Sequence, residues 1–165
     1  MRLKDKVAII TVGGRGIGRD IVLAYAREGA HVVINDIDPV TAEATAKEAA
    51  GLGSKSLPIV ADVAKASDIN RAVETTIKER GRVDILVNNA MKIVPGKLEA
   101  LPEAAWDTTM NIGLKGAFLM SQSNCDVGSG GFGLPGDVVA QHGVEGSEKT
   151  TVICAPPAAF ARDGD

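Results

Sequence analysis

The sequence predicts an α/β fold, a doubly wound parallel sheet with helices on both faces, and three observations predict it. Apolar runs of strand length recur at residues 7–10, 31–34, 56–60 and 83–87, and helix-forming segments separate them. A glycine cluster, Gly13, Gly14, Gly16 and Gly18, follows the first run directly and opens a helical pattern. An acid, Asp36, closes the second run, about 20 positions beyond the glycines. Right-handed crossovers then order the strands 3-2-1-4, and ligands bind where such a sheet reverses direction, outside the carboxyl ends of its strands.

The first strand and its turn carry the chemistry. A helix N-terminus has unpaired N–H groups and a partial positive charge, so a pyrophosphate can rest there if no side chain blocks the approach. Gly16 and Gly18 leave that approach open. Beyond them Ile17, Ile21 and Ala24 predict the apolar face of the helix, and Gly29 stands where a C-terminal glycine belongs. The second strand ends in Asn35-Asp36, and a carboxylate at that edge can accept hydrogen bonds from an adenosine ribose. Strand, cluster, helix, strand and acid together predict a dinucleotide-binding βαβ unit.

Asp38-Pro39 reads as a helix cap with proline in the first turn, and Ala42, Ala46 and Ala49 give the following helix a face of small residues that packs close to a sheet. Gly51 and Gly53 close it. Residues 56–60 form the third strand, leading into Asp62-Val63. Ser67 reads as the cap of a helix with Ile69, Val73 and Ile77 on one stripe, ended by Gly81. Residues 83–87 form the fourth strand, which brings Asn88-Asn89-Ala90 beside the glycine turn. A loop with Pro95 and Gly96 follows, then a helix over 102–122 whose Trp106, Met110, Leu114, Ala117 and Phe118 make a broad apolar surface.

Residues 11–18 resemble the Thr-Gly-x-x-x-Gly-x-Gly cofactor motif of the short-chain dehydrogenases/reductases, and Asp62-Val63, Asn88-Asn89-Ala90 and Asn111 continue the resemblance in order. It covers about residues 3–122. It implies a Rossmann-like domain over 1–122 that binds NAD(P) through Thr11, Gly13, Gly14, Arg15, Gly16, Ile17, Gly18, Asp36, Ile37, Asp62, Val63, Asn89 and Ala90. On the residues alone Asp62 also fits a loop acid, and Arg15 a solvated loop cation. The resemblance further implies hydride transfer between the cofactor and a small alcohol or ketone. Asn111 matches a family asparagine that helps hold a water and the active-site lysine.

Several features depart from the family. Val12 stands at the first glycine of the motif, where a β-branched side chain tolerates positive φ or close ligand approach badly, and Met91 stands where glycine usually follows Asn-Asn-Ala. The family's proton donor is the tyrosine of a Tyr-x-x-x-Lys pair, with a serine orienting the substrate. The chain's single tyrosine, Tyr25, lies in the first helix, Lys149 has no tyrosine four residues before it, and Ser121, Ser129 and Ser147 sit in no recognisable motif. Little or no turnover is expected. Asp36 favours NAD over NADP, because it bonds a free 2′-hydroxyl and repels a 2′-phosphate.

Composition narrows the alternatives. The formal net charge of −3, with no basic stripe or zinc-finger spacing, excludes nucleic acid as the expected partner. There is no long apolar run and no apolar leader after Met1-Arg2-Leu3-Lys4, so a cytoplasmic protein is expected. Cys125 and Cys154 with His142 make a poor metal set. The last 43 residues hold eight of the 19 glycines and two basic against six acidic side chains, the composition of a flexible tail over 123–165, with one candidate strand at 150–155 beside the fourth. The alternatives to a weakened dehydrogenase are a non-catalytic NAD-sensing or interaction protein, pairing through helix 102–122 or an open sheet edge, and a truncated or frameshifted product.

Overall fold

The computed structural model describes residues 1–127, 137–141 and 151–154. Strands β1 (Val7–Thr11), β2 (His31–Asp36), β3 (Leu57–Val60) and β4 (Ile85–Asn88) alternate with helices α1 (Gly16–Arg27), α2 (Pro39–Gly51) and α3 (Ala66–Arg80). The sheet order β3-β2-β1-β4-β5-β6 contains the expected 3-2-1-4 arrangement, all parallel. Beyond it, β5 (Asp137–Gln141) runs parallel to β4 and β6 (Thr151–Cys154) antiparallel to β5. The strand expected at 150–155 is therefore the sixth rather than the fifth. Residues 137–141, too short a run to stand out in sequence, pair with β4, whose edge is not open. The rest of the expected tail, with Ser129, His142, Ser147 and Lys149, lies outside the described residues.

Both faces of the sheet are buried at β1, β2 and β4, which is why these strands read as near-continuous apolar runs. Alternate residues face opposite ways. Val7, Ile9, Val33 and Leu86 pack with Ile69 and Ala72 of α3 and with Met120 of α5 (Gly116–Val127). Ala8, Ile10, Val32 and Ile34 pack with α1 and with the alanine face of α2, where Ala42, Ala46 and Ala49 are buried. Asp38 caps α2 as expected, accepting from Val40 N at 2.9 Å with Pro39 in the first turn.

Three expectations are corrected. The buried face of α1 is Gly18, Val22, Leu23 and Ala26; Ile17 and Ala24 are exposed and Ile21 is half-buried. A Cβ on Gly18 would lie 2.0 Å from Val12 O, so the close approach of Gly18 sets the helix's rotation, and steps of four from it reach 22 and 26. Ser67 does not cap α3, whose N-cap is Lys65; the Asp68 carboxylate instead accepts from Asp62 N at 3.0 Å. Helix 102–122 is two helices, α4 (Glu103–Met110) and α5, joined by a π-helical turn, Asn111–Lys115. Its core-facing residues are Gly113, Gly116 and Met120, while Trp106, Leu114 and Phe118 are exposed. Gly116 allows the close packing, since a Cβ there would meet Val63 O at 3.0 Å.

Candidate functional site

The turn between β1 and α1 is built from close approaches. A Cβ on Gly13 would lie 3.1 Å from Ile10 O, one on Gly14 2.9 Å from Asp36 Oδ2, and one on Gly18 2.8 Å from Asn89 Nδ2. Gly16 is glycine for a different reason: its φ is +53°, and a Cβ there would meet nothing within 4 Å. Val12 also has positive φ, +52°. A β-branched residue is thus held in a backbone region that glycine adopts without cost. The N-cap of α1 is Arg15, which gives no side-chain cap, and the first turn has no acid. Among the described residues no side chain caps the first N–H groups of this helix, which leaves them available to an anion, whereas α2, at the same sheet edge, is capped by its own Asp38.

Around the turn, two of the expected residues act as braces. The Thr11 hydroxyl donates to Val87 O at 3.3 Å and accepts from Asn89 N and Ala90 N, both at 2.9 Å. Asn89 Nδ2 donates to Thr11 O at 3.1 Å. These bonds tie β1 to the end of β4 and bring Ala90 beside the glycine turn. Asp36, 2% exposed, accepts from Gly14 N at 3.0 Å through Oδ2 and from Asp38 N at 3.1 Å through Oδ1. Each oxygen keeps one lone pair for a ligand.

Asp62 Oδ1 accepts from Ala64 N at 3.0 Å, which turns the chain after β3 and directs Val63 inward. The Asp62 N–H holds the Asp68 carboxyl below its ordinary pKa, with Arg71 and Lys65 helping against partial desolvation. A groove of about 390 Å³ opens at this edge, lined by Val12, Arg15, Asn35, Asp36, Ile37, Ala61, Asp62, Val63, Met91, Lys92 and Ile112. Its size is that of a small-molecule site. Arg15 and Ile37 are exposed at its rim. Ile17 and Asn111 are exposed and do not line it, although Ile112, next to Asn111, does. The sequence reading missed Asn35, Ala61, Lys92 and Ile112 as lining residues; a polar residue directly after the buried apolar run Val32-Val33-Ile34 was the available signal for Asn35.

The machinery for proton transfer is not assembled among the described residues. Tyr25 lies on α1 against the core, and burial pushes its hydroxyl above the ordinary value. A proton donor activated by lysine needs the opposite shift. Ser121 accepts from Asn88 Nδ2 at 3.3 Å and donates to Ala117 O at 2.8 Å. Among the described residues no group of three or more His, Cys, Asp or Glu side chains is placed to hold a metal, and no helix is long and apolar enough to cross a membrane.

Comparison with known proteins agrees with this geometry. A family model described as short chain dehydrogenase matches residues 6–134. The dehydrogenase subunit BbsD of Thauera aromatica, named for a hydroxy(phenyl)methylsuccinyl-CoA substrate, is 43% identical over 123 residues, 74% of this chain and 50% of that protein. A 3-oxoacyl-acyl-carrier-protein reductase, FabG, of Thermotoga maritima is 39% identical over 122 residues, 74% of this chain and 50% of that protein. Galactitol 2-dehydrogenase of Agrobacterium fabrum is 36% identical over 162 residues, 97% of this chain and 62% of that protein. Among solved structures, a short-chain dehydrogenase/reductase from Burkholderia xenovorans matches with a TM-score of 0.73 at 37% identity, covering 77% of this chain and 50% of that one. The chain spans about half the length of the first curated relatives it matches.

Proposed function

This chain belongs to the short-chain dehydrogenase family, and from that premise we propose that it binds NAD(H) in the groove beside the glycine turn and turns over alcohols or ketones little or not at all. The observation that carries the reading is the bare N-terminus of α1, whose N-cap Arg15 lines a groove walled by Asp36.

In this reading the free N–H groups at the start of α1 hold the pyrophosphate. The unused lone pairs of Asp36 accept the ribose hydroxyls, and Ile37, Asp62 and Val63 flank the adenine. Thr11, Asn89 and Ala90 keep the turn in place. When bound, the cofactor supplies a hydride donor or acceptor. NAD is favoured over NADP because Asp36 is fixed by two backbone N–H groups and cannot swing away from a 2′-phosphate; Arg15, exposed at the rim, is the counter-influence. Low turnover follows from the want of a proton donor at the substrate oxygen, a group typically worth about 10²- to 10⁴-fold in rate. Small alcohols or ketones are the substrates of whatever activity exists, and the cytoplasm is the proposed location.

The test is a fluorescence titration of the purified chain with NADH and NADPH, with Gly16→Asn in parallel. Asparagine tolerates the left-handed backbone of position 16 and puts a side chain into the open approach, so affinity should fall at least about tenfold with the fold intact. Equal NADH binding by both chains would refute the site. Ketone-dependent NADH consumption at an ordinary dehydrogenase rate would refute the low-turnover claim.

A second reading is favoured by the exposed stripe Trp106, Leu114 and Phe118, at 53%, 58% and 60% exposure. It is a non-catalytic protein that pairs with a second copy through α4 and α5. Sedimentation that stays monomeric at all concentrations counts against it.

A further inference from the structure

Asn35 is 1% exposed, and neither its amide nitrogen nor its amide oxygen has a hydrogen-bond partner among the described residues. It lies inside the sheet, between Thr11 on β1 and Ile59 on β3. Neither neighbour can serve it. Ile59 is apolar, and the Thr11 hydroxyl has spent its proton on Val87 O and both lone pairs on Asn89 N and Ala90 N. Asp36 is next along the strand, so its side chain leaves by the opposite face, where Gly14 and Asp38 use it.

A buried amide without partners works against folding, and native proteins rarely retain one without a reason. The preceding residues of β2, Val32, Val33 and Ile34, are apolar and buried, so valine or leucine at position 35 would serve the sheet better. The reason therefore lies outside the fold. Asn35 lines the groove, and its neighbours there include Ala61, Val63 and Ile112, an apolar wall suited to a flat ring.

We propose that Asn35 is a base-reading residue: on ligand entry its amide turns to accept from the exocyclic amino group of adenine and donate to an adjacent ring nitrogen. This rests on the dinucleotide reading above and assigns it a residue that the sequence reading did not. The complementarity is general, since an asparagine amide offers one donor and one acceptor side by side, as the amino edge of adenine does. A second carboxamide, such as that of nicotinamide, has the same edge, but Asp36 on the same groove assigns this end to the adenosine ribose.

The test compares the full chain with Asn35→Leu and Asn35→Val, titrating AMP, purine riboside 5′-monophosphate, which lacks the amino group, and nicotinamide mononucleotide. The unsubstituted chain should bind AMP about tenfold more tightly than the deamino analogue. Each variant should lose that preference, binding both within about twofold, while its melting temperature is unchanged or higher. A merely structural role would not move the preference. Equal binding of AMP and the deamino analogue by the unsubstituted chain overturns the inference without any variant. So does a variant that keeps the preference, or one that loses affinity only for nicotinamide mononucleotide. If the unsubstituted chain binds neither NADH nor AMP, the dinucleotide reading fails first and takes this one with it.

Discussion

Val12 should reverse the usual ranking of alanine and glycine. At φ +52° a side chain with a Cβ crowds the backbone, at a cost of about 1–2 kcal/mol, and more for a β-branched residue. Val12→Gly removes that strain, taken as about 2 kcal/mol. It gives back about 0.5–1 kcal/mol in unfolded-chain entropy and about 1 kcal/mol for the partly buried isopropyl group. The net change is within about 1 kcal/mol of zero. Val12→Ala loses the same packing but keeps most of the backbone strain, so it should be less stable than Val12→Gly by about 1 kcal/mol. At a position with ordinary helical or extended backbone, alanine would win by about 0.5–1 kcal/mol. Urea unfolding of the three chains at neutral pH measures the order directly, provided their denaturant slopes agree. Val12→Ala more stable than Val12→Gly would mean that the turn does not hold residue 12 left-handed. Since Val12 also lines the groove, the glycine variant should bind NADH more tightly than the parent.

Gly18→Ala should cost at least about 3 kcal/mol, because its Cβ would meet the Val12 carbonyl at 2.0 Å and both partners are backbone; Gly51→Ala, open on all sides, should be neutral or gain up to about 1 kcal/mol in the same unfolding assay. Asp36→Ala should cost about 2–4 kcal/mol, since it strands the buried Gly14 N–H and the Asp38 N–H together. A loss below about 1 kcal/mol in urea unfolding would show that Asp36 is not a brace. Asp68 has a depressed carboxyl pKa in the folded chain, so its contribution to stability is present above the unfolded value of about 4 and is lost as pH falls through the folded value. Melting temperatures across about pH 2.5 to 7 should put Asp68→Asn below the parent at neutral pH and bring the two together at the acid end.

What the sequence made legible is what local chemistry determines. Asp38 caps α2, Gly29 and Gly81 take positive φ at helix ends, and the apolar runs become β1 to β4 in the expected order. What escaped it depends on contacts between residues far apart in the chain. The rotation of α1 follows from Gly18 meeting the Val12 carbonyl, and residues 17, 21 and 24 had equal claim on helical spacing alone. β5 exists through its pairing with β4, since residues 137–141 carry no periodic signal long enough to be read. Thr11 and Asn89 were expected as cofactor contacts from local motif alone; what the sequence did not show is that their bonds join segments 78 residues apart and make them the frame of the turn.

The candidate site can be divided by hydrogen-bonding capacity, and that division says which substitutions will report on a ligand. Thr11 has none left, so changing it tests the frame between β1 and β4. Asp36 has spent one lone pair on each oxygen, so changing it perturbs fold and binding at once and cannot separate them. The free N–H groups at the start of α1 and the amide of Asn35 have spent nothing among the described residues. Groups that the fold leaves unused at a groove are the ones a ligand can satisfy. Gly16 and Asn35 are therefore the positions where the proposed binding can be tested without loss of the fold, one at the proposed pyrophosphate site and the other at the proposed base site.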